Sequence, residues 1–182
     1  PVQSGSNKIL KQMNRKHTIE EYLIIYEKLK KINPNIEFSS DFIIGYPEEG
    51  DDDFKSTMKL IEKIRFTNSY SFIFSPRPGT VAADLELVDK KKSKERLEII
   101  QKKLFENQIN KNKSLEGKIL NVLVENKMKD GIKLFGRTEY MTSVIFDGSS
   151  DYIGKILQIE ITSSNQNSLF GKIKENFKKK VA

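Results

Sequence analysis

The chain has 182 residues, 37% hydrophobic and 31% charged, with 32 basic against 25 acidic residues and a net charge of +7. That size suits one medium domain or two small ones, and the composition is too apolar for outright disorder. Cysteine is absent and His17 is the single histidine. This excludes disulfides, thiolate zinc sites, a cysteine nucleophile and any cysteine-ligated iron–sulfur cluster within the chain, and it disfavours a Ser-His-Asp triad or a histidine-rich metal site. No apolar run reaches the length of a membrane span. The chain opens Pro1-Val2-Gln3 without an initiator methionine or a signal peptide, so the expectation is a piece of a longer protein.

Residues 1–112 hold 20 basic against 17 acidic residues, and residues 113–182 hold 12 against 8. The shorter stretch therefore carries the greater positive excess, which favours an anionic partner there. A generally lysine-rich composition accounts for the same charge equally well.

In chain order, Ser6 is placed to cap a short helix over residues 6–13. Thr18 and Glu21 form a capping box, and Tyr22, Leu23, Ile25, Tyr26, Leu29 and Ile32 follow at helical spacing until Asn33-Pro34 stops the helix. Residues 36–44 read as a strand with a buried second half, ended by Gly45-Tyr46-Pro47. Asp51, Asp52 and Asp53 suit a helix N-terminus, with Phe54, Met58, Ile61 and Ile64 as its apolar stripe. Glu48 or Glu49 is a candidate cap for that helix. Residues 70–74 read as a second strand, and residues 89–112 as a long polar helix with Leu97, Ile100, Leu104 and Ile109 inside.

Helix, strand, helix, strand, helix is the rhythm of a parallel α/β sheet. Two strands do not complete such a sheet, so the expected neighbours lie upstream, against an edge at residues 38–44. After residue 112 the pattern changes to short strands at 119–124, 134–138, 143–146, 156–161 and 169–173. They are separated by Lys129-Asp130-Gly131, Asp147-Gly148-Ser149 and Asn165-Gln166-Asn167, the spacing of a small antiparallel barrel. Lys178, Lys179 and Lys180 form a basic tail.

Four strings exceed ordinary fold grammar. Pro1-Val2-Gln3-Ser4-Gly5-Ser6, followed by Met13-Asn14-Arg15, offers backbone donors and small hydroxyls before a helix, or simply an N-cap loop. The segment from Ser40-Asp41-Phe42-Ile43-Ile44 through Gly45 to Glu49 ends a strand at the edge where α/β folds bind ligands, with Gly45 permitting close backbone approach. Ser75-Pro76-Arg77-Pro78-Gly79-Thr80 holds an arginine in a stiff loop, suited to a carboxylate or phosphate or to a plain surface turn. Gly136-Arg137-Thr138 puts an arginine on a barrel strand, for RNA phosphate, for a base, or for solvent.

Together these strings resemble the MiaB-type tRNA methylthiotransferases, which are radical S-adenosylmethionine enzymes. The run Ser69-Tyr70-Ser71-Phe72-Ile73-Phe74-Ser75-Pro76-Arg77-Pro78-Gly79-Thr80 is the most specific part. Leu134 to Thr138, Ile153-Gly154-Lys155 and Ser168-Leu169-Phe170-Gly171 resemble the TRAM domain, a small RNA-binding barrel. The sister enzyme that modifies a ribosomal protein carries a histidine after the loop glutamine, where this chain has Ser4. One departure stands out: the family turn Gly-Phe-Pro-Gly-Glu-Thr is Gly45-Tyr46-Pro47-Glu48-Glu49-Gly50 here.

The resemblance implies an α/β partial radical-SAM (TIM-like) barrel over residues 1–112, followed by an all-β TRAM barrel over 113–182. It implies methylthio transfer to C2 of an isopentenylated adenosine beside the anticodon, with S-adenosylmethionine and two 4Fe-4S clusters in the full-length protein. The catalytic cluster cysteines are absent from this chain, and no metal ligand is assigned within it. Gln3, Ser4, Ser6, Arg15, Asp41, Ile43 and Gly45 are placed on the cofactor side. Arg77, Thr80, Arg137 and Thr138 are placed toward substrate RNA, with the tRNA anticodon stem-loop as partner. A cytoplasmic monomer that does not associate with membranes is the expectation. Remaining alternatives are a related enzyme acting on threonylcarbamoyladenosine in tRNA, a free-standing TRAM-type RNA-binding module, and a small metal-free α/β enzyme.

Overall fold

The computed structural model describes residues 1–129 and 131–174. Asp130 of the expected turn and the basic tail of Lys178, Lys179 and Lys180 lie outside the described residues. The chain divides into two compact units between Asn107 and Gln108.

The first unit begins with α1 (Asn7–Gln12), capped by the Ser6 hydroxyl, and α2 (Ile19–Ile32). Both halves of the Thr18–Glu21 capping box are made. Ile19, Tyr22, Leu23 and Tyr26 pack on the core, whereas Ile25 and Ile32, read as part of the stripe, are exposed. They lie well round the helix from the other four at about 100° per residue. β1 (Asp41–Ile44) is followed by α3 (Asp51–Ile64), β2 (Tyr70–Ile73), a short 3₁₀ turn (Val81–Ala83) and α4 (Lys90–Lys113).

β1 and β2 are parallel, with Ile43 opposite Phe72. The first strand is shorter than residues 36–44, because the backbone before Asp41 is bonded elsewhere. Lys30 donates to the Ile36 carbonyl at 2.6 Å, and the Thr67 N–H donates to the Phe38 carbonyl at 2.9 Å. The β1 edge expected to be open is occupied by the chain's own first residues. The Gln3 N–H donates to the Asp41 carbonyl at 3.1 Å, and the Ile43 N–H donates to the Gln3 carbonyl at 2.9 Å.

Alternation along β1 turns Phe42 and Ile44 into a core with Val2, Leu60, Ile61, Ile64, Phe66, Ile100 and Leu104. Phe42 and Phe66 meet edge to face, with ring centroids 5.3 Å apart. Ile109 departs from its expected place and is 44% exposed. It falls five residues after Leu104, a spacing that leaves the helix stripe.

In the second unit, β3 (Ile119–Lys127), β4 (Lys133–Thr138), β5 (Ser143–Asp147), β6 (Ile156–Ser164) and β7 (Ser168–Ile173) close into a barrel in the order β3-β4-β5-β7-β6. The expected antiparallel barrel needs one correction: β5 and β7 run parallel. Val122, Val124, Leu134, Val144, Phe146, Leu157, Ile159, Ile161 and Leu169 fill the interior, with Leu115. Bulges at Val124/Asn126 and Ile161/Ser163 let so small a sheet curl shut.

Candidate functional site

The face of β1 turned away from the helical core lines a cavity of about 1120 Å³. Parallel α/β units gather ligands at the carboxyl ends of their strands; here Arg77 and Thr80 follow the carboxyl end of β2, and the cavity also takes in Gln3, Arg15, Asp41 at the start of β1, and Ile43. Arg15 follows the left-handed Asn14 at the end of α1. Arg77 is exposed between Pro76 and Pro78, and its carbonyl accepts both the N–H and the hydroxyl of Thr80, at 3.2 and 2.8 Å. The Thr80 hydroxyl thus braces the loop. Among the described residues neither Arg15 nor Arg77 has an ion-pair partner, although Asp41 lines the same cavity.

Ser4, Ser6 and Gly45 do not line this cavity. The Ser4 and Ser6 side chains are buried, and their loop is stitched to α3. The Gly5 N–H donates to Thr57 Oγ1 at 2.9 Å, the Ser6 N–H donates to Ser4 Oγ at 3.2 Å, and the Ser6 hydroxyl donates to Asp53 Oδ1 at 2.6 Å. Burial opposes ionisation of Asp53, but Ser6, the Gly50 N–H and Lys8 outweigh it and hold the carboxyl below its ordinary value. Gly45 has φ +69°, and a Cβ there would sit 2.4 Å from Ser93 Oγ. Its close approach is to α4.

Neither Glu48 nor Glu49 caps α3; the residue before that helix is Gly50, whose N–H donates to Asp53 Oδ2 at 2.9 Å. Glu49 instead folds back to accept the Gly45 N–H at 2.8 Å, and is met by Arg96 of α4. Burial pushes the Glu49 carboxyl up, and the Gly45 N–H and Arg96 act against that rise. Glu48 is left-handed at φ +63°. Its carbonyl accepts from Lys8 Nζ at 2.7 Å, and its carboxylate accepts from the Gln12 amide.

Sequence reading missed the aromatic part of the wall: Tyr46, Phe72 and Phe74. Tyr46 and Phe74 meet edge to face at 4.8 Å, and the Tyr46 hydroxyl donates to the Gln12 carbonyl at 3.0 Å. Desolvation raises the Tyr46 pKa. The alternation of Tyr70, Phe72 and Phe74 was the available signal, since period two places them on one side of an extended chain.

On the barrel, Arg137 points outward, 3.2 Å from Glu125 Oε2, with its guanidinium 5.6 Å from the centre of the Phe135 ring. Gly136 points inward, where a Cβ would lie 2.4 Å from the Leu123 carbonyl oxygen, so it serves strand packing rather than approach to a ligand. Thr138 is buried and accepts the N–H groups of Tyr140 and Thr142 at 3.2 and 3.3 Å, closing the β4–β5 turn. Among the described residues, no group of three or more histidine, cysteine or acidic side chains could hold a metal ion, and no helix is long and apolar enough to cross a membrane.

Residues 1–61 match the Radical SAM superfamily and residues 113–174 match the TRAM domain. Along its whole length the chain is 81% identical to a tRNA-2-methylthio-N(6)-dimethylallyladenosine synthase from Pelagibacter ubique (strain HTCC1062), of which it covers 41%. The chain is thus similar, along its whole length, to part of a MiaB-type tRNA methylthiotransferase. Proteins of the same name from Wolbachia pipientis wMel and Yersinia pestis (strain Pestoides F) are 48% and 46% identical over 94% of the chain, covering 40% and 36% of those proteins. The chain thus spans about two-fifths of the length of the curated MiaB-type relatives it matches. The Radical SAM match ends within α3, so β2 and Arg77 lie beyond it, while the TRAM match takes in all five barrel strands.

Proposed function

We propose that this chain supplies the C-terminal part of an enzyme that adds a methylthio group to C2 of the isopentenylated adenosine next to the tRNA anticodon. Residues 1–112 form the last part of a TIM-like radical S-adenosylmethionine barrel, and residues 113–182 form a TRAM domain that grips the anticodon stem-loop. The observation that carries this reading is the 81% identity, over the whole chain, to a protein named for that product.

The cavity residues fit S-adenosylmethionine. Arg15 offers an unpaired guanidinium to a carboxylate, and Asp41, on the adjoining strand, offers acceptors to hydroxyl groups. Gln3 and Ile43 flank it, and the Gly45 turn, held by Glu49, fixes the end of β1. The residues present do not fit an iron–sulfur cluster, since the chain has no cysteine. Bound S-adenosylmethionine, with two 4Fe-4S clusters ligated outside this chain, supplies the radical and sulfur chemistry. The chain's own residues bind and orient the reactants and line the cavity with apolar groups that exclude water. Arg77 stands at the substrate side, held by the Thr80 turn, and Arg137 faces RNA from the barrel. The enzyme works as a cytoplasmic monomer, where tRNA is found.

The test is a chimera. This chain replaces the matching segment of the Pelagibacter ubique relative, in a bacterial host deleted for its own methylthiotransferase. Mass spectrometry of tRNA nucleosides should show the methylthio derivative of isopentenyladenosine. A methylthio group on threonylcarbamoyladenosine instead would assign the related enzyme, and RNA binding without product would favour a free-standing binding module.

A further inference from the structure

The face of β2 on the cavity side carries an aromatic ring that the buried core does not use: among the described residues, Phe72 meets only the ring of Tyr70, itself exposed, with centroids 6.5 Å apart. Phe72 is 55% exposed although it lies mid-strand, in register with Ile43. An exposed phenylalanine gains nothing from water, and a ring presented to a cavity is a stacking surface. Its neighbours give the cavity two characters. Phe74, Val81 and Leu85 make the same wall apolar, while Arg77, without an ion-pair partner among the described residues, makes it cationic. Apolar ring next to fixed cation is the complement of a nucleotide, whose flat base adjoins a phosphate.

Two further facts narrow the occupant. The cavity, at about 1120 Å³, exceeds the roughly 300–1,000 Å³ of a site for one small molecule. The backbone order Gln3, β1, β2 also places Phe72 on a different segment from Gln3, Asp41 and Ile43, with Ile43 as its cross-strand neighbour. A base inside a stacked RNA loop cannot reach a recessed wall, so it must leave its stack, and an aromatic partner offsets the lost stacking.

We propose that Phe72 stacks on the extruded target adenine, with Arg77 taking the phosphate beside it. This rests on the reading given under Proposed function. It adds the surface on which the base is held.

The experiment uses the purified, cluster-reconstituted chimera and an anticodon stem-loop, first with isopentenyladenosine and then with 2-aminopurine at the target position. If the unsubstituted chimera makes no methylthio product from the stem-loop, the functional reading fails, whatever Phe72 does. Given product, Phe72→Leu keeps an apolar side chain of similar bulk but removes the π-face. It should raise KM for the RNA roughly five-fold or more, with a smaller change in kcat, and weaken the quenching of 2-aminopurine on binding. Phe72→Trp should restore both. An unchanged KM and quench in Phe72→Leu, a loss confined to kcat, or a failure of Phe72→Trp to rescue would each overturn the stacking role.

Discussion

Arg96 of α4, only 4% exposed, donates from one Nη1 to both the Glu49 carbonyl, at 2.9 Å, and the Glu49 carboxylate, at 2.8 Å. Its Nη2 reaches Asp51 Oδ1 at 2.7 Å, and its guanidinium lies 5.4 Å from the centre of the Phe54 ring. One side chain therefore ties α4 to the turn that ends β1 and to the start of α3. A buried charge whose partner is deleted keeps its desolvation cost with nothing to offset it. Arg96→Met should destabilise the first unit by about 3–5 kcal/mol, measured by urea unfolding. The double change Arg96→Met with Glu49→Leu should recover much of the loss. Equal stability of the single and double variants would mean the pair is not what holds the turn.

Glu48 presents a different balance. The left-handed region costs a residue with a Cβ about 1–2 kcal/mol, and the family's glycine at this place is free of that cost. Glu48→Ala and Glu48→Gly both remove the contact with Gln12, so comparing them isolates the backbone. The glycine variant should be the more stable, by about 1 kcal/mol after its own entropy cost is allowed for. Thermal unfolding of the two variants measures it, and an alanine variant at least as stable would place Glu48 outside the left-handed region.

Asp51 gives a pH dependence with a definite sign. Hydrogen bonding to Lys92, then to Arg96, lowers its pKa from 3.8 to about 2. A carboxylate depressed by folding contributes stability that is present above pH 3.8 and is lost as the pH falls toward 2. Lys92→Met should therefore move the Asp51 midpoint upward, toward 3.8, in a carboxyl-detected NMR titration. A midpoint left near 2 in that variant would show Arg96 to be the sufficient partner.

Arg137 is the barrel's test residue, because its contacts are both modest and exposed. Its bond to Glu125 is a surface pair worth little, so the guanidinium can be recruited by RNA at small cost. Titrating an anticodon stem-loop at several salt concentrations should show affinity falling by roughly ten-fold or more between low and physiological salt. Arg137→Ala should cost about 1–3 kcal/mol if it stacks or makes a bidentate contact. Salt-independent binding, or no effect of the substitution, would remove Arg137 from the interface.

What was legible in the sequence was local. Thr18 and Glu21 announce their helix three residues apart, and the five barrel strands announce themselves by alternation. The direction of β7 against β5 was not legible, because period two is the same for parallel and antiparallel neighbours. Nor was the end of β1, since residues 36–40 have strand-like side chains while their backbone bonds go to Lys30, Thr67 and Ser69. In the cavity, Gln3, Arg15, Asp41 and Arg77 were found as polar residues at strand and helix ends. Phe72 was missed because an aromatic within a strand reads as core until its exposure is known. Arg96 was missed for the opposite reason: among the lysines and glutamates of a polar helix, nothing marks the one cation that is buried.

The placement of β7 between β5 and β6 has a kinetic consequence. Hairpin pairing alone can build β3, β4 and β5 in sequence, but β7 must find β5 at the same time as β6 finds β3. Both meetings are between segments distant along the chain, and loop entropy is lost before either is rewarded. The rate-limiting step of barrel formation is then this double closure, reached when most of the surface is already buried. Substitutions in the β3–β4 turn, which is formed before that step, and changes at Ile159 or Leu169, where the closing strands meet the interior, should both slow folding and leave unfolding largely unchanged.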